Sequence, residues 1–243
     1  MTVNMMSILG FKSDASTSQS QDEGSLSFYH DVKREYSQFD QASIFDMATG
    51  GNFPHEHVVV TPIFQPSWRK FLPLLTSSKN INDAPNGLIL YKPVAWAFSW
   101  GKLCIEVDRV GRMSFHLFDD DLRYVSMASK TKTTPRSADE VTRELDFTFG
   151  DFDPTFGDLD GKEVQFPEGS MMRPSKPLLA LHAYASWLKA WSLQPNIEFP
   201  IPQHIFSDNE GKGTDGANLG YSIKQWILTV HASLPVSHSC QSP

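Results

Sequence analysis

Residues 86–128 read NGLILYKPVAWAFSWGKLCIEVDRVGRMSFHLFDDDLRYVSMA, and the fold turns on how this stretch is divided. Asn86-Gly87 is a hairpin-type turn pair. Four strand-length runs follow it: Leu88–Trp100, broken near Pro93, then Lys102–Asp108, Arg112–Phe118 and Leu122–Ala128. Their separators are Gly101, Arg109-Val110-Gly111 and Asp119-Asp120-Asp121. Connections this short join antiparallel neighbours. Leu103, Ile105 and Val107 alternate with Cys104, Glu106 and Asp108; Met113, Phe115 and Leu117 alternate with Ser114, His116 and Phe118. One face is therefore core and the other partly solvated. The expectation is a central antiparallel β-meander over about residues 86–128.

Helical patterns flank it. Val32, Tyr36 and Phe39 share one face of a helix within residues 28–47. Ser175 and Pro177 start a second helix, in which Leu178, Leu181, Ala185, Leu188 and Trp191 form an apolar stripe widened by Tyr184 and Trp187, ending before Pro195. His57–Phe64 reads as an edge or bulged strand because it contains Pro62. Shorter helices are expected at Trp68–Leu75 and after the Ser137 capping box; Tyr221–Leu234 is helical by spacing, although Thr229-Val230-His231 reads equally as strand. Ile197–Phe206 reads as extended and residues 207–220 as a glycine-rich loop. Residues 12–27 are rich in Ser and Gln and cannot offset their ordering entropy by burial. The organisation expected is a flexible N-terminal arm, residues 1–27, and a single α+β domain, residues 28–243.

Composition agrees with a folded chain. At 243 residues and 40% hydrophobic, with 17 Phe and six Trp, it can bury a core without disulfide or metal staples. Cys104 and Cys240 are the two cysteines. Two thiols in a reducing compartment is the plainer reading, and no Cys/His spacing points to zinc. No run of about eighteen apolar residues is present, so no transmembrane segment is expected. Met1–Phe11 lacks the basic and long apolar regions of a secretory signal, so the expected location is cytoplasmic or nuclear.

The net charge of −7 is concentrated. Asp139–Glu168 holds ten acidic residues against Arg143 and Lys162, a net of −8, which leaves +1 for the rest. This argues against the broad basic face of a duplex-binding protein. At the centre of the acidic segment lies a tandem repeat. Phe149-Gly150-Asp151-Phe152-Asp153-Pro154-Thr155 is followed by Phe156-Gly157-Asp158-Leu159-Asp160-Gly161-Lys162. Four carboxylates so close repel unless a cation, a basic partner or water relieves them. A calcium loop fails: with Gly161 as the loop glycine, Phe156 takes the first ligand position and Pro167 the twelfth.

Other groups in the sequence are candidates for chemistry. His55 and His57 share a face if the chain there is extended, as metal ligands should. Asp119-Asp120-Asp121 offers three carboxylates for a divalent cation, or a solvated turn. His182 sits on a helix face, and Cys104 in a strand expected to bury it. No nucleophile elbow, Walker loop or dinucleotide fingerprint occurs, so no cofactor is expected. Lys130, Lys132 and Arg136, with Arg69 and Lys70 and the stacking surfaces of Trp68 and Trp100, would serve single-stranded RNA.

Met6-Ser7-Ile8-Leu9-Gly10-Phe11-Lys12, followed by a polar arm and an α+β domain, resembles the start of rhabdovirus matrix proteins. The likeness covers those seven residues. A Pro-Pro-x-Tyr motif is absent and the arm is not basic. The resemblance implies a viral structural or accessory protein. The leading expectation is thus a non-enzymatic interaction or assembly protein, binding a protein partner or self-associating as a homo-oligomer. Its contact residues would be Phe149, Asp151, Phe152, Asp153, Phe156, Asp158 and Asp160, with an apolar hook of Ile8, Leu9 and Phe11. The alternatives are a metal-dependent enzyme built on the clustered aspartates and a single-stranded RNA-binding protein.

Overall fold

The computed structural model describes residues 23–36, 43–64, 80–128 and 154–193. Helix α1 spans Glu23–Tyr36. Its Val32 and Tyr36 are buried and it packs on the strand Gly87–Tyr91 and the Ala84–Asn86 turn. Three antiparallel pairs follow: β1 (Ser43–Phe45) with β2 (Asn52–Pro54), β3 (Val58–Pro62) with β4 (Gly87–Tyr91), and β5 (Leu103–Val107) with β6 (Met113–Leu117). Helix α2 spans Lys92–Ser99 and α3 spans Lys176–Leu193. The described architecture is mixed α+β.

The meander is only partly observed. β5 and β6 form the expected hairpin, with Cys104 opposite His116 and Ile105 opposite Phe115. The run Leu88–Trp100, expected as one broken strand, is instead strand β4 followed by helix α2. Pro93 occupies the first helical turn, where its missing N–H costs nothing. Val94, Ala97 and Phe98 then bury one helical face. The helix stops where Gly101 N–H bonds Phe98 O and Lys102 N–H bonds Ala97 O, a Schellman closure. β4 pairs with β3 at the Val58–Tyr91 to Pro62–Gly87 register, not with β5. The fourth expected strand, Leu122–Ala128, is a turn with one bridge, Ser126 to Thr155. Its place beside β6 is taken by the end of the second repeat and the residues after it. Gly161 N–H bonds Phe115 O, Phe115 N–H bonds Lys162 O, and Val164 N–H bonds Met113 O.

Two further boundaries differ from expectation. α1 begins at Glu23, so the arm's last five residues are helical. The helix expected over 28–47 ends at Tyr36, and Ser43–Phe45 is strand. Residues 1–22, Phe39, Trp68–Leu75, the basic loop, the helix after Ser137 and everything beyond 193 lie outside the described residues.

α3 is the centre of the core. Every residue from Leu178 to Ser186 is buried, so the expected single stripe becomes a helix covered on all sides. It lies against β5, whose Leu103 and Ile105 are fully buried. Each such aliphatic side chain contributes about 1.5–3 kcal/mol. Among the described residues, no helix is long and apolar enough to cross a membrane.

Candidate functional site

The second repeat is the described part of the acidic segment, and its residues divide by role. Pro154 O accepts the Met127 N–H at 2.9 Å, which seats the chain beside residues 123–127. Phe156 N–H bonds Val125 O and Gly157 N–H bonds Arg123 O. Phe156–Leu159 then forms a 3₁₀ turn. Phe156 is fully buried, 6.5 Å from the Trp96 ring. It belongs to the core and not to a contact surface, contrary to expectation. Gly157 passes so close to the chain that a Cβ there would lie 2.5 Å from Arg123 O. Leu159 is buried beside it.

The two carboxylates diverge. Asp158 is exposed and accepts both the N–H and the hydroxyl of Thr155, each at 2.8 Å. The Thr155 N–H and then its hydroxyl hold this carboxyl below the usual aspartate range. Asp160 turns inward. Its Oδ1 accepts the Leu117 N–H at 3.0 Å and its Oδ2 pairs with Arg123 Nη2 at 3.0 Å. His116 Nδ1 stands 3.9 Å from Asp160 Oδ1 and 3.6 Å from Glu106 Oε1. Arg123 also reaches Asp120 at 3.3 Å. For these two carboxylates the expected repulsion is thus relieved by backbone N–H groups, one hydroxyl and one guanidinium.

Beside the repeat, Tyr124 is 87% exposed, because its neighbours Arg123 and Val125 turn their carbonyls to Gly157 and Phe156. Asp120, Asp121, Tyr124 and Asp158 are all exposed here. The backbone bonds of Arg123 and Val125 to Gly157 and Phe156 set these two exposed turns beside one another, and Asp120 is paired with Arg123.

The other groups considered for chemistry are dispersed. Asp119 pairs with Lys102 and accepts the Asp121 N–H at 3.1 Å, the arrangement of a solvated turn. His55–His57 is a 3₁₀ turn, not the extended strand that would align two imidazoles; His55 Nδ1 lies 3.3 Å from Lys33 Nζ. Cys104 is a free, buried thiol, and burial pushes its pKa up. His182 is buried against Phe98. No group of three or more His, Cys, Asp or Glu among the described residues is arranged to hold a metal ion. Phe149, Asp151, Phe152, Asp153, Ile8, Leu9 and Phe11 lie outside the described residues, as do Lys130, Lys132 and Arg136.

Sequence reasoning missed Arg123 and Tyr124, which it placed in a strand. It also missed Asp46, a fully buried carboxylate that accepts the Thr49 N–H and hydroxyl and the Tyr91 N–H. Asp46 followed three residues later by Thr49-Gly50-Gly51 is a turn signature that could have pointed to it. Comparison with protein-family models, curated proteins and solved structures returned no match for this chain.

Proposed function

We propose that this chain is a non-enzymatic interaction or assembly protein, and that the acidic segment meets a basic surface of a partner protein. The observation that carries this reading is the exposure of Asp158 in that segment, together with that of Asp120, Asp121 and Tyr124 in the turn its backbone is bonded to. An exposed tyrosine ring and exposed carboxylates attract lysine and arginine side chains by cation–π contact and by charge. With Phe156 in the core, the aromatic role assigned to the second repeat passes to Tyr124. Phe149, Asp151, Phe152 and Asp153 extend the same chemistry in sequence, and Ile8, Leu9 and Phe11 add an apolar contact for a partner or a second copy.

The test is binding of a fluorescent arginine-rich peptide to the full-length chain, read by anisotropy across a salt series. Binding that weakens with salt, and is lost in Tyr124→Ala/Asp121→Lys at an unchanged melting temperature, supports the reading. Binding that is absent in the wild type, or indifferent to the double substitution, overturns it.

A further inference from the structure

The structure extends the repeat by one residue and assigns each position a task. Thr155 belongs to the unit because its N–H and hydroxyl both bond Asp158. The seated unit is therefore Thr155-Phe156-Gly157-Asp158-Leu159-Asp160. The sequence Thr148-Phe149-Gly150-Asp151-Phe152-Asp153 repeats it seven residues earlier with one apolar exchange. Thr148 would cap as Thr155 does, with Asp151 in the role of Asp158. Phe149 matches the buried Phe156. Gly150 matches Gly157, the position where a Cβ would meet Arg123 O at 2.5 Å. Asp153 matches Asp160, the partner of Leu117 N–H and Arg123.

We propose that the cradle formed by Arg123, Val125, Met127 and Leu117 is a binding site for the pattern Thr-Phe-Gly-Asp-apolar-Asp, and that residues 148–153 of the same chain are its second occupant. The two copies exchange by a seven-residue slip. Loop closure hardly resists this, because closure entropy changes only with the logarithm of loop length. What ranks the copies is the residue after each. Gly161 takes φ +79 and donates its N–H to Phe115 O. Pro154, in the matching place of the first copy, can do neither. Phe152 must also fit where Leu159 is buried. The second copy is the resident and the first the minor occupant. A slip would bring Phe156 and Leu159 out and free the β6 edge at Met113 and Phe115. The exchange needs no partner, and it would set Asp151 in the place of Asp158 beside the Tyr124 turn.

Four full-length chains test it: wild type, Gly150→Ala, Gly157→Ala and the double substitution. The readout is hydrogen exchange at the Leu117 amide, which Asp160 protects in the resident register and Asp153 would protect after the slip. Gly150→Ala alone should leave protection unchanged. Added to Gly157→Ala, it should lower protection by at least about tenfold. Adding Asp153→Asn to Gly157→Ala should do the same. Equal loss in Gly157→Ala and the double substitution, including failure of both to fold, would overturn the proposal. A native mass that rises with concentration in Gly157→Ala would place the first copy in another molecule's cradle, and would overturn exchange within one chain.

Discussion

The imidazole of His182 lies flat on the ring of Phe98, with 3.7 Å between centroids and 3° between planes. Its Nε2 stands 3.1 Å from the Phe98 carbonyl oxygen, so the bonded tautomer carries its proton there. This contact ties α3 to α2 at the centre of the fold. Burial lowers the His182 pKa from 6.5 to about 3, against the smaller opposing pull of the carbonyl. A histidine depressed in the folded state contributes its full stability above the unfolded pKa. That contribution is lost as pH falls from 6.5 towards 3, because the unfolded chain takes up the proton first.

The expected loss from this residue is about 2 kcal/mol between roughly pH 7 and pH 5, at about 1.4 kcal/mol per unit of pKa difference. Denaturant unfolding of the wild type and of His182→Leu at both pH values checks it. The wild type should lose the larger amount over this interval. Equal losses in the two proteins would show that His182 is not the titrating group.

Asp46 carries the turn between β1 and β2. Its carboxylate accepts the Thr49 N–H at 2.8 Å, the Thr49 hydroxyl at 2.7 Å and the Tyr91 N–H at 2.7 Å. Burial raises its pKa and these donors pull it back. Asp46→Ala leaves the Thr49, Tyr91 and Ala48 N–H groups without this acceptor and opens a gap. The expected cost is about 3–5 kcal/mol, the range for breaking a buried charged network. Asp46→Asn keeps one acceptor oxygen and should cost less. Denaturant midpoints of both variants at neutral pH give the order, and an Asn variant less stable than Ala would contradict it.

Asn86 acts as a piece of backbone. Its Oδ1 accepts the Phe64 N–H at 2.7 Å, and its Nδ2 donates to Ile81 O at 2.8 Å and Phe64 O at 3.3 Å. The amide offers both a donor and an acceptor here at neutral pH, which a carboxylate does not. Asn86→Asp sets a carboxylate against two carbonyl oxygens, so it should be less stable than Asn86→Ala near pH 7. It should recover on acidification, when the carboxyl gains a proton to donate. Thermal unfolding of both variants at neutral and acid pH tests this, and an Asp variant at least as stable as Ala at neutral pH would refute it.

How much of this was legible depended on where each residue finds its partner. The β5–β6 hairpin was readable because Leu103, Ile105 and Val107 alternate with polar neighbours and Asp108–Arg112 makes a local turn, with Asp108 accepting the Arg112 N–H. α2 was not, because Leu88–Trp100 is apolar almost throughout and offers no contrast between period two and period 3.6. In such a run Pro93 reads equally as the break of a strand and as the first turn of a helix. α3 was legible as a helix, but its burial on every side is set by tertiary packing. The acidic tandem was visible as charge, yet its relief was not. Asp160 finds the Leu117 N–H 43 positions away in sequence, and nothing local marks that pair.

Asn86-Gly87 looked like a turn chosen for its glycine's left-handed freedom, but Gly87 is extended at φ −114 and opens β4. Its lack of a side chain serves a close approach instead. A Cβ at Gly87 would lie 2.4 Å from Val32 Cγ2, 2.9 Å from Cγ1 and 3.2 Å from Phe28 Cζ. α1 therefore rests directly on the first residue of β4. Gly87→Ala pushes this helix away and should cost about 1–3 kcal/mol through overpacking. Because the obstruction is Val32 alone at the shortest distances, trimming that side chain should relieve it. Val32→Ala with Gly87→Ala should then lose less than the two single substitutions together, by about 0.5–3 kcal/mol. Urea unfolding of the wild type, both single variants and the double closes this cycle. Losses that simply add would mean that α1 does not bear on β4 at this point.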